Sequence, residues 1–340
     1  MIGKVIVAGL LMLAPPVTAA VSPMSPMSPV SPVTAVTAAA PVAADPEPQG
    51  TTGEAYQRGR EAGVALKDSQ IVITGTGLTG KSDGYRIKRP CWYEPRGNAE
   101  ERLEAERKAL PDALPEQEWK RRKEALEKFE EKVGQEGTWW QRAYNSADPA
   151  GMACVAALGE PDVWAPPGTT PPNGITIEEL VEIARAALTV PDPKVEINPD
   201  VKSYVNLPTW VWLGGAGETT RSVTATLPGV MSATVTATRG KIDIDPGTTG
   251  DRARVAESGC GEGGVPYRKG ADDGDDPPCG VTYLRASVDQ PRGVYELTVT
   301  AVWDIEVEDD VVPFAYDPVE VGATRDVPVG EVQSTVRKTG

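Results

Sequence analysis

The chain has 340 residues, a formal net charge of -15 and no histidine. The acidic balance disfavours a general role in binding nucleic acid or an anionic membrane surface. Without imidazole there is no Ser-His-Asp triad, no ordinary neutral-pH base and little scope for mixed metal sites.

The amino terminus reads Met1-Ile2-Gly3-Lys4, then an apolar run over residues 5–14, then Thr18-Ala19-Ala20. One cation, a short apolar stretch and small residues before a cleavage point describe a secretory signal peptide over residues 1–20. Pro15 and Pro16 stop the run far short of the ~20 residues that a span needs, so no stable membrane insertion is expected after cleavage. Ser22-Pro23-Met24 then opens a triplet repeat that continues through Ser31-Pro32-Val33. With no charge and little to bury, it predicts a disordered Pro/Ser/Ala-rich linker over residues 21–68, an extended tether.

Residues 69–194 are expected to form a mainly helical region with an aromatic cluster. Ile71-Val72-Ile73-Thr74 suits a strand, and Gly75-Thr76-Gly77-Leu78-Thr79-Gly80-Lys81-Ser82 satisfies the phosphate-loop pattern. Nucleotide chemistry would use the amides around Gly75 and Gly80, Lys81 on the phosphates, Ser82 on magnesium, and a following helix. Residues 83–90 hold Gly84 and Pro90 and predict no helix, so a Gly/Thr-rich lead-in loop is the favoured reading. No cofactor is expected. Asn98 with Glu101 three residues on is a capping box for a helix over 100–110. Trp119, Leu126, Phe129 and Val133 then share one side of a second, highly charged helix ending near Gly134. This pair reads as an amphipathic hairpin with a solvated face, a partner-binding helix being its rival. Trp139, Trp140, Tyr144, Cys154 and Trp164 follow at close intervals, as a small core or as a flat surface for a sugar. Thr176 and Glu179 cap the next helix, whose stripe is Ile177, Leu180, Val181, Ala184 and Leu188.

From residue 195 the pattern changes to short strands: 195–197, 204–213, 223–227, 231–238, 241–244, 281–286, 294–307, and pieces of 319–336. The clearest is Tyr295, Leu297, Val299, Ala301, Trp303, Ile305 and Val307 alternating with Glu296, Thr298, Thr300, Val302, Asp304 and Glu306, which puts one face in a core. The expected fold class is α+β, a small helical, disulfide-tied region followed by an immunoglobulin-like β-sandwich over 195–340.

Four cysteines in an exported chain suggest two disulfides, and sequence leaves three pairings open. Cys91 with Cys154 and Cys260 with Cys279 is favoured, since it keeps one bridge in each region. The loop between Cys260 and Cys279 is rich in glycine and carries Asp272, Asp273, Asp275 and Asp276. Those aspartates lack the spacing of a calcium-binding EF-hand and predict a solvated acidic turn. Asp243 and Asp245 share one strand face, the best available pair for a carboxylate-dependent extracellular hydrolase. No catalytic constellation or metal cluster is otherwise visible.

Several motifs resemble a known group. Cys91-Trp92-Tyr93-Glu94-Pro95, Thr138-Trp139-Trp140, Trp164-Ala165-Pro166-Pro167-Gly168, the Trp210-Val211-Trp212 run and Cys279-Gly280-Val281-Thr282-Tyr283 resemble uncharacterised secreted proteins of actinobacteria. The likeness covers roughly residues 91–340. Tyr283 through Val299 is similar to the last two strands of polycystic-kidney-disease-type (PKD) immunoglobulin-like modules. Val281 stands where that motif has histidine, and its Trp-Asp-Phe-Gly-Asp-Gly run is reduced to Ile242-Asp243-Ile244-Asp245-Pro246-Gly247. The resemblance implies a secreted or cell-envelope protein with a PKD-like domain and no particular reaction. The functional expectation is a non-enzymatic binding, adhesion or structural module, with nucleotide binding through residues 75–82 or carboxylate hydrolysis as alternatives. Its partner would be a cell-wall glycan or another envelope protein. Exposed members of Trp139, Trp140, Trp164, Trp210 and Trp212 are the candidate contacts.

Overall fold

The computed structural model describes residues 51–52, 63–111, 113, 115–270, 272, 274–308, 312–313 and 315–332. The expected signal peptide and the triplet repeat lie outside the described residues. In chain order the elements are β1 (Thr51–Thr52), β2 (Leu66–Lys67), β3 (Val72–Thr74), β4 (Cys91–Pro95), α1 (Ala99–Lys108), α2 (Glu116–Glu130), β5 (Thr138–Asn145) and α3 (Gly151–Ala157). Then come β6 (Asp162–Ala165), α4 (Ile177–Ala187), β7 (Lys194–Asn198), β8 (Ser203–Tyr204), β9 (Pro208–Gly214) and β10 (Thr220–Leu227). The last are β11 (Met231–Asp245), β12 (Ala253–Ala256), β13 (Gly280–Tyr283), β14 (Tyr295–Val307), β15 (Val319–Val327) and β16 (Val329–Gly330). The fold is mixed α+β and its sheets are mostly antiparallel.

A six-stranded sheet has the order β1-β3-β10-β11-β14-β15, and a four-stranded sheet the order β12-β13-β9-β7. Period-two burial along β10, β11 and β14 sends alternate residues into one apolar cluster that also receives Val195, Ile197, Val211, Val281 and Tyr283 from the second sheet. Tyr283 of β13 and Tyr295 of β14 stack with centroids 4.7 Å apart and planes 6° from parallel, joining the two sheets. Burial raises the Tyr283 hydroxyl well above its ordinary range, with the nearby Tyr295 second. That hydroxyl donates to the Pro246 carbonyl at 3.2 Å.

The sequence suggests two strands over 231–238 and 241–244; the structure has one strand, β11, with a bulge between Arg239 and Ile242. The extra residue changes which parity faces the core. Ala233, Val235, Ala237 and Arg239 are buried before it, Ile242 and Ile244 after it. Read as plain alternation, that switch looks like a break.

Two boundaries are corrected. The linker expected through residue 68 has ended by residue 63: Val64 and Leu66 are buried, β2 pairs with β5, and the Asn145 amide holds both Ala65 N–H and Gly63 C=O at 2.7 Å. Thr51–Thr52 also pairs with β3. Second, residues 69–194 carry a four-stranded sheet as well as helices, with β5 between β4 on one side and β2 and β6 on the other. Aromatic residues at consecutive positions, Trp92-Tyr93 and Trp139-Trp140, hide this sheet because both of its faces are covered. Contacts do not divide at residue 195 either. Strand β3 is hydrogen-bonded to β10, and residues 46–340 form one compact unit.

Helix α4 explains that continuity. The Thr176–Glu179 capping box forms as expected, and every residue from 180 to 187 is buried, more than a stripe. One side packs on β10 and β11. On the other, two buried charges meet residues 82–90. Glu182 accepts from Lys88 N–H and Lys88 Nζ, both at 2.9 Å. Arg185 pairs with Asp83 and lies over the rings of Tyr85 (4.8 Å) and Tyr316 (5.7 Å). Burial pushes the Asp83 carboxyl up, but the hydrogen bond and charge of Arg185 outweigh it and hold the group below its ordinary value. Burial, then the Glu182 charge, raises the Tyr85 hydroxyl.

A carboxyl depressed in the folded state adds stability that is present above its unfolded value, about 3.9, and lost as pH falls through the folded value. Asp83→Asn is therefore expected to cost about 2 kcal/mol at neutral pH, less than the ~3–5 of a fully buried pair because Asp83 keeps some water. Urea unfolding of both proteins at neutral pH and near pH ~3 checks this. The difference should shrink in acid, and an equal difference at both pH values would contradict the pairing.

Candidate functional site

The phosphate-loop pattern has a packing explanation. Thr76–Leu78 forms a single 3-10 turn, and residues 82–87 contain no helix. Gly75 has φ 135°, and a Cβ there would lie 2.1 Å from the Ser222 carbonyl oxygen of β10. Gly80 has φ 157° and comes as close to the Val190 carbonyl, at 2.3 Å. Glycine is needed at both because another backbone passes there. The loop's polar groups face the protein: Lys81 N–H donates to Val190 at 2.7 Å, and Thr189 N–H and Oγ1 both donate to Gly77 C=O, at 2.7 and 2.8 Å. Lys81 Nζ lies 3.9 Å from Asp192, and Ser82 Oγ accepts from Gly84 N–H.

The five tryptophans do not form one surface. Trp139 and Trp140 are buried, a correction to their place among candidate contacts; Trp210 is largely buried too, but it lines an open cleft. Trp139 sits between Phe129 (4.7 Å) and Trp164 (5.4 Å) in a small core with Leu103, where α1 and α2 meet β5. Trp140 belongs to the main core. Trp164 and Trp212 are half-buried and stand on different sheets. Asp243 and Asp245 also have local duties. Asp243 pairs with Lys241 at 2.7 Å, and Asp245 accepts from Gly247 N–H at 2.9 Å in the turn that follows.

Both disulfides, Cys91–Cys154 and Cys260–Cys279, are formed, the favoured pairing of the three. The first ties α3 to β4. The second closes the acidic loop, and its consequence is a concave surface. Val211 N–H donates to Cys279 C=O, Leu213 N–H to Gly263 C=O, and Gly264 bridges Trp212, so both ends of the loop are fastened along β9. The loop therefore arches back over the start of β9.

Beneath it is an open cleft of about 650 Å³. Its aromatic wall is Trp210 and Tyr267, edge to face at 5.8 Å, and Leu207 and Pro199 extend the apolar side. Asp272, Asp275, Asp276 and Lys269 form the polar side. Asp272 is buried and taken up by Arg268, whose N–H and Nη2 reach its carboxylate at 2.6 and 3.1 Å. Asp275 and Asp276 are exposed and make no ion pair among the described residues. The described residues contain no group of three acidic or cysteine side chains placed to hold a metal ion.

The chain matches no known family model, curated protein or solved structure. The chemistry of the cleft follows from its own groups. Aromatic faces bind flat apolar or cationic surfaces, and exposed carboxylates accept hydrogen bonds from hydroxyl or ammonium groups. Nothing local in the sequence marks Tyr267 as a contact. The signal for it was the Cys260–Cys279 closure, which brings the loop to Trp210.

The closure has a measurable weight. Replacing Cys260 and Cys279 together by serine is expected to destabilise the protein by about 3 kcal/mol, the scale for a loop of this length. It should also expose residues 261–278 to limited proteolysis. A variant as stable and as protease-resistant as the parent would contradict the bridge's role in holding the cleft.

Proposed function

We propose that the protein is a non-enzymatic binding or adhesion module of the cell envelope or extracellular space, and that the Trp210–Tyr267 cleft is its recognition surface. The observation that carries this is the cleft itself, an aromatic corner opposite two unpaired carboxylates, fixed by a disulfide and by pairing along β9. Such a site takes a ligand that presents hydrogen-bond donors beside a flat or apolar face, as a glycan or a protein side chain does. Support for an immunoglobulin-like, PKD-like sandwich comes from the inter-sheet stack of Tyr283 and Tyr295, the two tyrosines of the resembling motif. Support for export comes from two disulfides and from the sequence at residues 1–20; no described helix is long and apolar enough to cross a membrane.

Wild-type protein is expected to be retained by isolated cell envelopes. Tyr267→Ala combined with Asp275→Asn should weaken that retention at least about tenfold, the effect of ~1.4 kcal/mol. Asp275 is exposed, and the half-buried Tyr267 lies outside the main apolar cluster, so the variant keeps its core. Unchanged retention by a folded variant would remove the cleft from the account.

A further inference from the structure

The second unexplained surface is helix α2. Residues 116–125 are exposed on every side, and only the last turns meet the body, where Phe129 is buried and Leu126 half-buried. The sequence pattern put Trp119 and Val133 on the same inner stripe, yet both are exposed, Trp119 at 49%. The helix outruns the surface it packs on, and its indole stands in solvent. Four cations follow directly, Lys120-Arg121-Arg122-Lys123, and none makes an ion pair among the described residues. At 100° per residue, Arg122 and Lys123 flank Trp119 on its own face.

A cationic ridge with an exposed indole calls for an anionic partner. Glu116, Glu118, Glu124 and Glu127 lie on either side of the four cations, so an extended polyanion would meet carboxylates within a turn. The partner that fits is compact, with few carboxylates and an aromatic wall. The cleft on the opposite part of the sequence has those properties: Asp275 and Asp276 unpaired, Trp210 and Tyr267 beside them, and about 650 Å³ of open volume. In sequence, residues 268–276 carry four aspartates against Arg268 and Lys269, so their net charge is opposite to that of the ridge.

We infer that the Trp119 ridge of one copy seats in the Trp210–Tyr267 cleft of another, a statement that rests on the cleft being the recognition surface. The indole packs against the aromatic corner, and Arg122 and Lys123 meet Asp275 and Asp276. The two surfaces differ, so the contact is head-to-tail and a pair of copies keeps one free ridge and one free cleft. Such contacts extend into open chains unless the rotation closes a ring. The contact is small and the copies share a net charge of -15, so association is weak and depends on concentration.

Sedimentation velocity from micromolar to millimolar protein tests this with a charge swap. Wild type should show a sedimentation coefficient that rises with concentration. Arg122→Glu with Lys123→Glu in one variant, and Asp275→Lys with Asp276→Lys in another, should each stay monomeric while folded by circular dichroism. Mixing the two should restore association, because the acidic ridge of the first meets the basic cleft of the second and the unaltered ridge of the second meets the unaltered cleft of the first. Swap variants that associate like wild type, or a mixture that stays monomeric, overturn the inference. A wild type that stays monomeric also overturns it; if the Tyr267→Ala and Asp275→Asn variant still loses envelope retention, the cleft stands with a different ligand. Retention of monomeric wild type on heparin, lost with Trp119→Ala, would assign the ridge to polyanions instead.

Discussion

The burial of α4 is the constraint from which the rest follows. A helix covered along residues 180–187 needs a neighbour on every side. β10 and β11 supply one, and residues 63–90 supply the other, through Gly63 N–H to Ala186 C=O, Gly77 against Leu188, and the Asp83–Arg185 and Lys88–Glu182 pairs. Two charges within the buried stretch of this helix would be costly without those partners. The amino-terminal part and the strand-rich part thus share one interior. The P-loop-like glycines belong to the same arrangement, since Gly75 and Gly80 let the backbone pass β10 and the end of α4 at close range.

Local signals were legible in the sequence wherever a single period or cap governed the element. Asn98 and Glu101, Thr176 and Glu179, and the alternation of β14 each appear in the structure as read. The pairing of four cysteines followed from keeping each bridge within a region. The sheet built from β2, β4, β5 and β6 was not legible. Its strands are short or covered on both faces, so Trp92, Tyr93, Trp139 and Trp140 give no alternation, and its partners are distant in sequence. β11 was legible only in halves, because its bulge reverses parity.

The candidate site was visible in pieces. Trp210 and the aspartates of the 260–279 loop were each singled out, one as a possible contact and the others as a solvated turn. Their meeting depends on backbone pairing of the loop ends to β9, which no local pattern announces. The remaining tryptophans mostly fill cores. Trp139 satisfies a small cluster under α1 and α2, and Trp92 donates at 2.8 Å to Glu94, a fully buried carboxylate that also accepts from Ser69 and from Gln70 N–H. Rings that look alike in sequence are thus separated by what lies over them. In the cleft the cover is a disulfide-closed loop that leaves an opening.

Hydrogen exchange read by mass spectrometry, with and without bound solubilised envelope material, addresses the recognition surface directly. Slower exchange is expected in two separated segments, residues 198–210 and 267–276, which between them hold the described residues that line the cleft. Protection confined to other parts of the molecule, with those two segments unchanged, would contradict it.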